Sequence, residues 1–357
     1  MNKRLEWIDV CKGILIITIA LMHINFSFWS ENAVGQYIGN LTSLYKVSIF
    51  FCVAGLTLKD EKLKGTWNFI KGKIKNLYLK IIAVGVIAVL LHNVLINIGY
   101  YQMGLDYAGK VMKPYESADY IKQIILTLFM ANREVIIGPM WYANVLFMAL
   151  VILALSDWFI RLFVKNDNAR VVRLISTLCL MLTSSALTNV AGFTIPRFNN
   201  TLTAVFLIDL CQFLYRKLEW KFDNPWAFVI SAMVLLSLPL YGYLSMNNNY
   251  FQDPAFLLVV AICGMYVLYY LSQKMTGGGY SKILSFIGRQ SFWIMVLHFA
   301  GFKIGSGILN LFINTDVSSL TPTASNVFYV LFYLFVGISI PCVVGVAIEK
   351  TKKLVIR

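Results

Sequence analysis

Three histidines occur in this chain of 357 residues, His23, His92 and His298, and each interrupts an apolar run. An imidazole takes up and returns a proton near neutrality, and an ionisable group inside an apolar span is a functional candidate by default because burying it is costly. Asp9 and Lys12 precede His23 at spacings that, at about 100° per residue, put all three within roughly 60° on one helix face. A rise of about 1.5 Å per residue separates Asp9 from His23 by about 21 Å, so any carboxylate that orients this imidazole must come from another helix. Asp9 and Lys12 are also spaced for an i, i+3 ion pair. The three histidines stand about 14 to 15 residues into helices of the same direction, a comparable depth of roughly 20 Å that would let them line one chamber. Interhelical hydrogen bonding is the plainer reading of each, strongest for His92 beside Asn93 and Asn97. A zinc site is disfavoured, because no carboxylate or cysteine lies at ligand spacing and neither HExxH nor GxSxG occurs.

The elements that must position these residues are membrane helices. Hydrophobic residues make up 59% and charged residues 13%, with a mean hydropathy of +0.70, against about 25% charged in soluble domains. Spans of about 17 to 25 apolar residues fall near 10–28, 41–58, 77–98, 139–160, 171–190, 198–215, 225–245, 253–273, 283–305 and 326–348. The expectation is an all-α polytopic membrane protein of about ten helices forming one domain over 1–357. The runs are apolar on every side, which excludes the alternation of a β-barrel. Lys3 and Arg4 before an apolar run imitate a secretory signal, but Lys12 interrupts that run and no A-x-A-like site follows, so the first segment reads as a retained helix.

Lys and Arg total 31 against 17 Asp and Glu, a formal net charge of +14. With the N-terminus inside, 21 of these cations fall in inner loops and 5 in outer ones. Such an excess predicts N-in, C-in topology and removes the nucleic-acid reading of the charge. The six cysteines lie in apolar segments without a CxxC pair and read as small hydrophobes. Asp209 in the sixth span calls for an Arg or Lys partner across the bundle, or for a functional role.

Two connecting segments stand out. The outer one, near 99–138, holds an apolar stretch from Asp119 to Met130 that is too short to span, which predicts an interfacial or re-entrant helix. The inner one carries Lys59, Lys62, Lys64, Lys71, Lys73 and Lys75 with Trp67 and Phe69. It suits anionic lipid headgroups or a phosphate-rich ligand such as coenzyme A. Neither a Walker A nor a GxGxxG motif competes for that role.

Four segments then resemble, in order, the motifs of the acyltransferase 3 family of integral-membrane sugar O-acyltransferases. They are Arg4-Leu-Glu-Trp-Ile-Asp9-Val-Cys-Lys12-Gly13 followed by His23; Phe50-Phe51-Cys-Val-Ala-Gly55; Gly138-Pro-Met-Trp141-Tyr142; and Ile287-Gly288-Arg-Gln-Ser291 followed by His298. The resemblance implies a catalytic His23 with Asp9 and His298 in support, and acyl-CoA, acetyl-CoA foremost, as a cytoplasmic donor. It also implies a glycan or lipid-linked sugar acceptor, and a multi-pass location in the bacterial plasma membrane among membrane lipids. Donor binding would fall to Lys12, Lys71, Lys73 and Lys75, without a metal. The family's basic R-x-x-R pair is replaced here by Lys73 and Asn76, and Lys lacks the bidentate fork of Arg. A membrane transporter for a glycan or lipid-linked sugar is the alternative, since intramembrane His, Asp and Lys also serve substrate pathways.

Overall fold

A computed structural model describes residues 6–107, 110–131, 134–164, 168–195, 197–313 and 316–355; Lys3, Arg4, Arg133 and Lys165 lie outside them. The chain is a helical bundle. Its main helices are α1 (Glu6–Leu21), α2 (Ala33–Tyr45), α3 (Ser48–Thr57), α4 (Thr66–Asn97), α5 (Ser117–Leu128), α6 (Val135–Phe163), α7 (Asn168–Val190) and α8 (Phe198–Arg216). They continue as α9 (Pro225–Tyr241), α10 (Pro254–Lys274), α11 (Gly279–Arg289), α12 (Ser291–Asn310) and α13 (Val327–Val355). Among the described residues sheet is confined to two-residue pairings, of which Asn25–Phe26 with Thr323–Ala324 ties the end of α1 to the segment before α13.

Among the described residues seven helical segments are long and apolar enough to cross a membrane: α2 with α3, α4, α6, α7, α10, α12 and most of α13. Of the other three expected spans, α1 has 16 residues and α9 has 17, short of the roughly 20 that span a bilayer. The third, α8, is the heart of the bundle, with every residue from Asn199 to Gln212 buried. It packs against α3, α6 and α7. Two expected spans are broken: 41–58 divides at Lys46 and Val47, and 283–305 divides at Gln290.

The basic stretch is not a loop. Thr66–Asn97 is one continuous helix of 32 residues, about 48 Å at 1.5 Å per residue and longer than the roughly 30 Å hydrocarbon core. Lys71 and Lys73 ride on its first third, and a π-turn at Ile74–Tyr78 carries Lys75. The predicted short helix is present as α5, closed at its start by a Glu116 and Asp119 capping box. It runs back along α4, with Tyr115 bonded to Asn93 at one end and the Tyr78 hydroxyl donating to the Leu128 carbonyl at the other. Its apolar Ile121, Ile125 and Leu128 stay exposed.

Arg173 is wholly buried and donates to Asp157 at 2.6 Å, to Asp209 at 2.7 Å and to Gln212 at 2.8 Å. Asp60 faces the same guanidinium at 3.9 Å and pairs with Arg170 at 2.8 Å. Asp209 thus has the cross-bundle cation its position demanded, and Arg173 belongs to the interior of the bundle. Removing Arg173 would leave the buried Asp157 and Asp209 carboxylates without their shared cation.

Candidate functional site

His23 does not lie on α1 itself. The helix ends at Leu21, and His23 occupies the turn beyond it, its N–H on the Ala20 carbonyl at 3.1 Å. Ile24 N–H reaches the Leu21 carbonyl at 3.1 Å and Asn25 N–H the Pro322 carbonyl at 2.8 Å, which fixes the turn. His298 comes from the second turn of α12 and is fully buried. The two imidazoles meet with ring centroids 5.2 Å apart and planes 34° from parallel, against the edge of Phe299.

His298 Nδ1 lies 2.8 Å from the Ile294 carbonyl. A carbonyl only accepts, so Nδ1 carries the proton and Nε2 the lone pair. That Nε2 is buried and has no hydrogen-bond partner among the described residues. Buried polar atoms are satisfied almost without exception, and one that is not calls for an explanation, a catalytic role among them.

The segments carrying the four motifs converge on each other. Gly13 and Gly288 let α1 and α11 touch backbone to backbone: a Cβ would come within 2.2 Å of the Leu284 carbonyl oxygen at Gly13 and 1.8 Å of the Asp9 carbonyl oxygen at Gly288. The Tyr142 hydroxyl donates to the Phe50 carbonyl at 3.1 Å, and its ring packs on Phe51 at 4.5 Å. A Cβ on Gly138 would lie 3.6 Å from Phe299, the residue that walls the histidine pair. Close approach of helices through small residues is the usual packing device in membranes.

The predicted site residues therefore form two groups. His23 and His298 are together. Asp9 is buried at the opposite end of α1, with Lys12 Nζ 4.0 Å from its carboxylate. Lys73 reaches Lys12 and Lys62 closely enough for their charges to interact, and its ammonium stands 5.0 Å over the Phe69 ring. Lys71 and Lys75 are exposed.

His92 is absent from the pair, which corrects the expectation of one chamber lined by three histidines. Its Nδ1 meets Glu134 at 3.1 Å, its Nε2 meets the Lys113 carbonyl at 3.0 Å, and its ring stacks on Tyr115 at 3.5 Å and 3°. Glu134 also takes Lys110 at 3.0 Å and the hydroxyls of Tyr115 and Tyr101. Burial alone would raise the Glu134 carboxyl; the His92 hydrogen bond, the Lys110 charge and the Tyr115 hydrogen bond outweigh it and hold the group below its ordinary value. Glu134, Lys110 and Tyr115 sit in an aperiodic loop, where no spacing pointed to them. Lys303 was visible only as a charge within a span; its buried ammonium donates to the carbonyls of Tyr100 at 2.6 Å, Val317 at 2.7 Å and Ser318 at 2.5 Å.

Among the described residues no group of three His, Cys, Asp or Glu is arranged to hold a metal ion. A cavity of about 390 Å³ opens where α1 begins and α8 ends, lined by Trp7, Tyr215, Arg216 and Trp220. It includes none of the predicted site residues. A family model described as an acyltransferase domain matches residues 5–346, nearly the whole chain. No curated protein and no solved structure matches it.

Proposed function

The chain belongs to the acyltransferase 3 family, and from that premise we propose that this membrane acyltransferase moves an acyl group, acetyl foremost, from acyl-CoA to a sugar hydroxyl of a cell-envelope or exported glycan. The observation that carries the reading is the buried, unpartnered Nε2 of His298 beside His23, a proton-accepting nitrogen held ready with nothing yet to accept from.

In this reading the end of the bundle with Lys12 and Lys73 faces the cytoplasm of a bacterial plasma membrane, N-in and C-in. Coenzyme A docks its phosphates there, between Lys12 and the basic start of α4, while Asp9 holds Lys12 in place. His23 lies 11 residues beyond Lys12, about 16 Å along the axis, a distance an extended pantetheine arm covers. His23 removes the proton from the sugar hydroxyl as the oxygen attacks the thioester carbon. His298 Nε2 accepts a hydrogen bond from the other His23 nitrogen and fixes its tautomer, as the third member of a nucleophile–base–orienter set does. Catalytic hydrogen bonds of this kind tighten only in the loaded complex.

Purified protein in nanodiscs, given acetyl-CoA and an envelope-glycan fraction from its source, is expected to release free thiol and leave an O-acetylated glycan visible by mass spectrometry. Movement of glycan across the membrane without any acyl donor would instead establish a transporter.

A further inference from the structure

Lys46 sits at the break between α2 and α3, within a segment long and apolar enough to span a membrane. Its backbone N–H closes the last turn of α2 on the Thr42 carbonyl at 3.0 Å, and the next helix starts two residues later. The other intramembrane lysines of the bundle have identifiable company: Lys12 has Asp9, Lys303 has three carbonyls, and Lys80 lies 5.5 Å over the Phe292 ring. The Lys46 ammonium has neither a hydrogen-bond nor an ion-pair partner among the described residues, although the residue is largely covered. The imidazole on which its charge acts is His23. α2 runs beside that histidine's turn: a Cβ on Gly39 would lie 3.8 Å from Met22 Cε.

A cation without a counter-ion inside a bilayer is expensive, and such groups mark places where negative charge arrives. A cation whose charge reaches one member of an imidazole pair, with one imidazole nitrogen of that pair unsatisfied, matches what thioester acyl transfer requires beyond a base: a positive charge where the tetrahedral oxygen develops. We propose that Lys46 is the oxyanion-stabilising residue of this site. The inference rests on the acyl-transfer reading above. As the acceptor oxygen bonds to the thioester carbon, its proton passes to His23 and the carbonyl π pair moves onto oxygen beside the Lys46 ammonium. Collapse re-forms the carbonyl and breaks the carbon–sulfur bond, and the departing thiolate takes the proton back from His23. No other reactant is needed.

The test compares wild type, Lys46→Met, Lys46→Gln and Lys46→Arg in nanodiscs, with acetyl-CoA and the envelope-glycan fraction, read as thiol release. Both neutral variants are expected to lose about 10²–10³-fold in kcat, as on removal of one oxyanion donor, with the KM for acetyl-CoA changed by less than about threefold. Lys46→Arg, which restores the charge, is expected to recover to within about tenfold of wild type. A neutral variant with kcat within about threefold of wild type overturns the proposal. So does a loss carried by KM alone, which would make Lys46 a ground-state anchor, and so does failure of both neutral variants to yield a monodisperse protein, which would make it structural. A wild type that releases no thiol refutes the acyl-transfer reading and takes this inference with it, whereas an active wild type beside an equally active Lys46→Met refutes the inference alone.

Discussion

His92 and His298 are both wholly buried, on neighbouring elements of one bundle, yet they are opposites in chemistry. Every hydrogen-bonding atom of His92 is committed, to a carboxylate, to a carbonyl and, through its face, to Tyr115. His298 commits one nitrogen and leaves the other empty next to His23. Burial alone therefore does not separate a structural histidine from a reactive one; the count of unsatisfied nitrogens does. A saturated imidazole has nothing left to offer a substrate, and an unsaturated one buried at the cost of a lost hydrogen bond, about 1–3 kcal/mol, needs a compensating use.

The comparison is broken most severely at the pair. His23→Ala is expected to lower kcat for acyl transfer by about 10³-fold or more, within the range of a lost general base, while the protein still elutes as a folded, membrane-inserted species. His298→Gln should cost about 10²-fold in kcat with little change in melting temperature. His92→Gln should do the reverse, leaving kcat within a few-fold and lowering the melting temperature by several degrees, because it strips a partner from buried Glu134. Equal kinetic losses at His92 and His298 would show that unsatisfied nitrogens do not identify the reactive residue.

A smaller effect is expected at the basic end. Lys12→Gln with Lys73→Gln should raise the KM for acetyl-CoA several-fold and flatten its salt dependence, since screening acts over about 8 Å at physiological ionic strength. The exposed pair Lys71→Gln with Lys75→Gln should do less. If the two pairs act alike, the donor responds to summed charge and not to the Lys12–Lys73 juxtaposition.

The smallest effect concerns the saturated cluster under acid. The Glu134 carboxyl is held below its ordinary value of about 4.5, so its contribution to stability is complete above that pH and disappears as pH falls through the lower folded value. Melting temperature should decline below about pH 4.5. The decline should be shallower in Glu134→Gln, which lacks the titrating group; an identical acid limb in both proteins would place the lability elsewhere.

What the sequence made legible follows from how far each signal is local. His23 and His298 stand out as polar groups in apolar runs, and the four motif segments announce themselves by glycines and aromatics that turn out to touch one another. The basic stretch misled because lysines read as loop, whereas Lys62 and Lys64 lie in a short helix, Asp60–Lys64, and Lys71, Lys73 and Lys75 ride on α4, which is longer than a hydrocarbon core is thick. The sixth span carries an Asp and a Gln that look like membrane-surface residues; they are tolerated because α8 is enclosed by protein and Arg173 of α7 neutralises the carboxylate. Glu134, Lys110 and the solitary state of Lys46 depend on partners present or missing at long range, which no spacing encodes.

The three carbonyls around Lys303 have a further consequence. They pin α12 against sliding or turning, because any such movement breaks charge-assisted hydrogen bonds where water is a poor substitute. His298, five residues earlier on the same rod, inherits that alignment from chain segments near Tyr100 and Ser318. Those segments hold Lys303 through main-chain oxygens, with the Tyr100 ring 5.8 Å from the ammonium, so the path of the backbone matters more there than the identity of most side chains. Insertions and deletions there are another matter: a single added residue would re-aim an imidazole little more than one helical turn from the anchored lysine, which makes these loops strict in length.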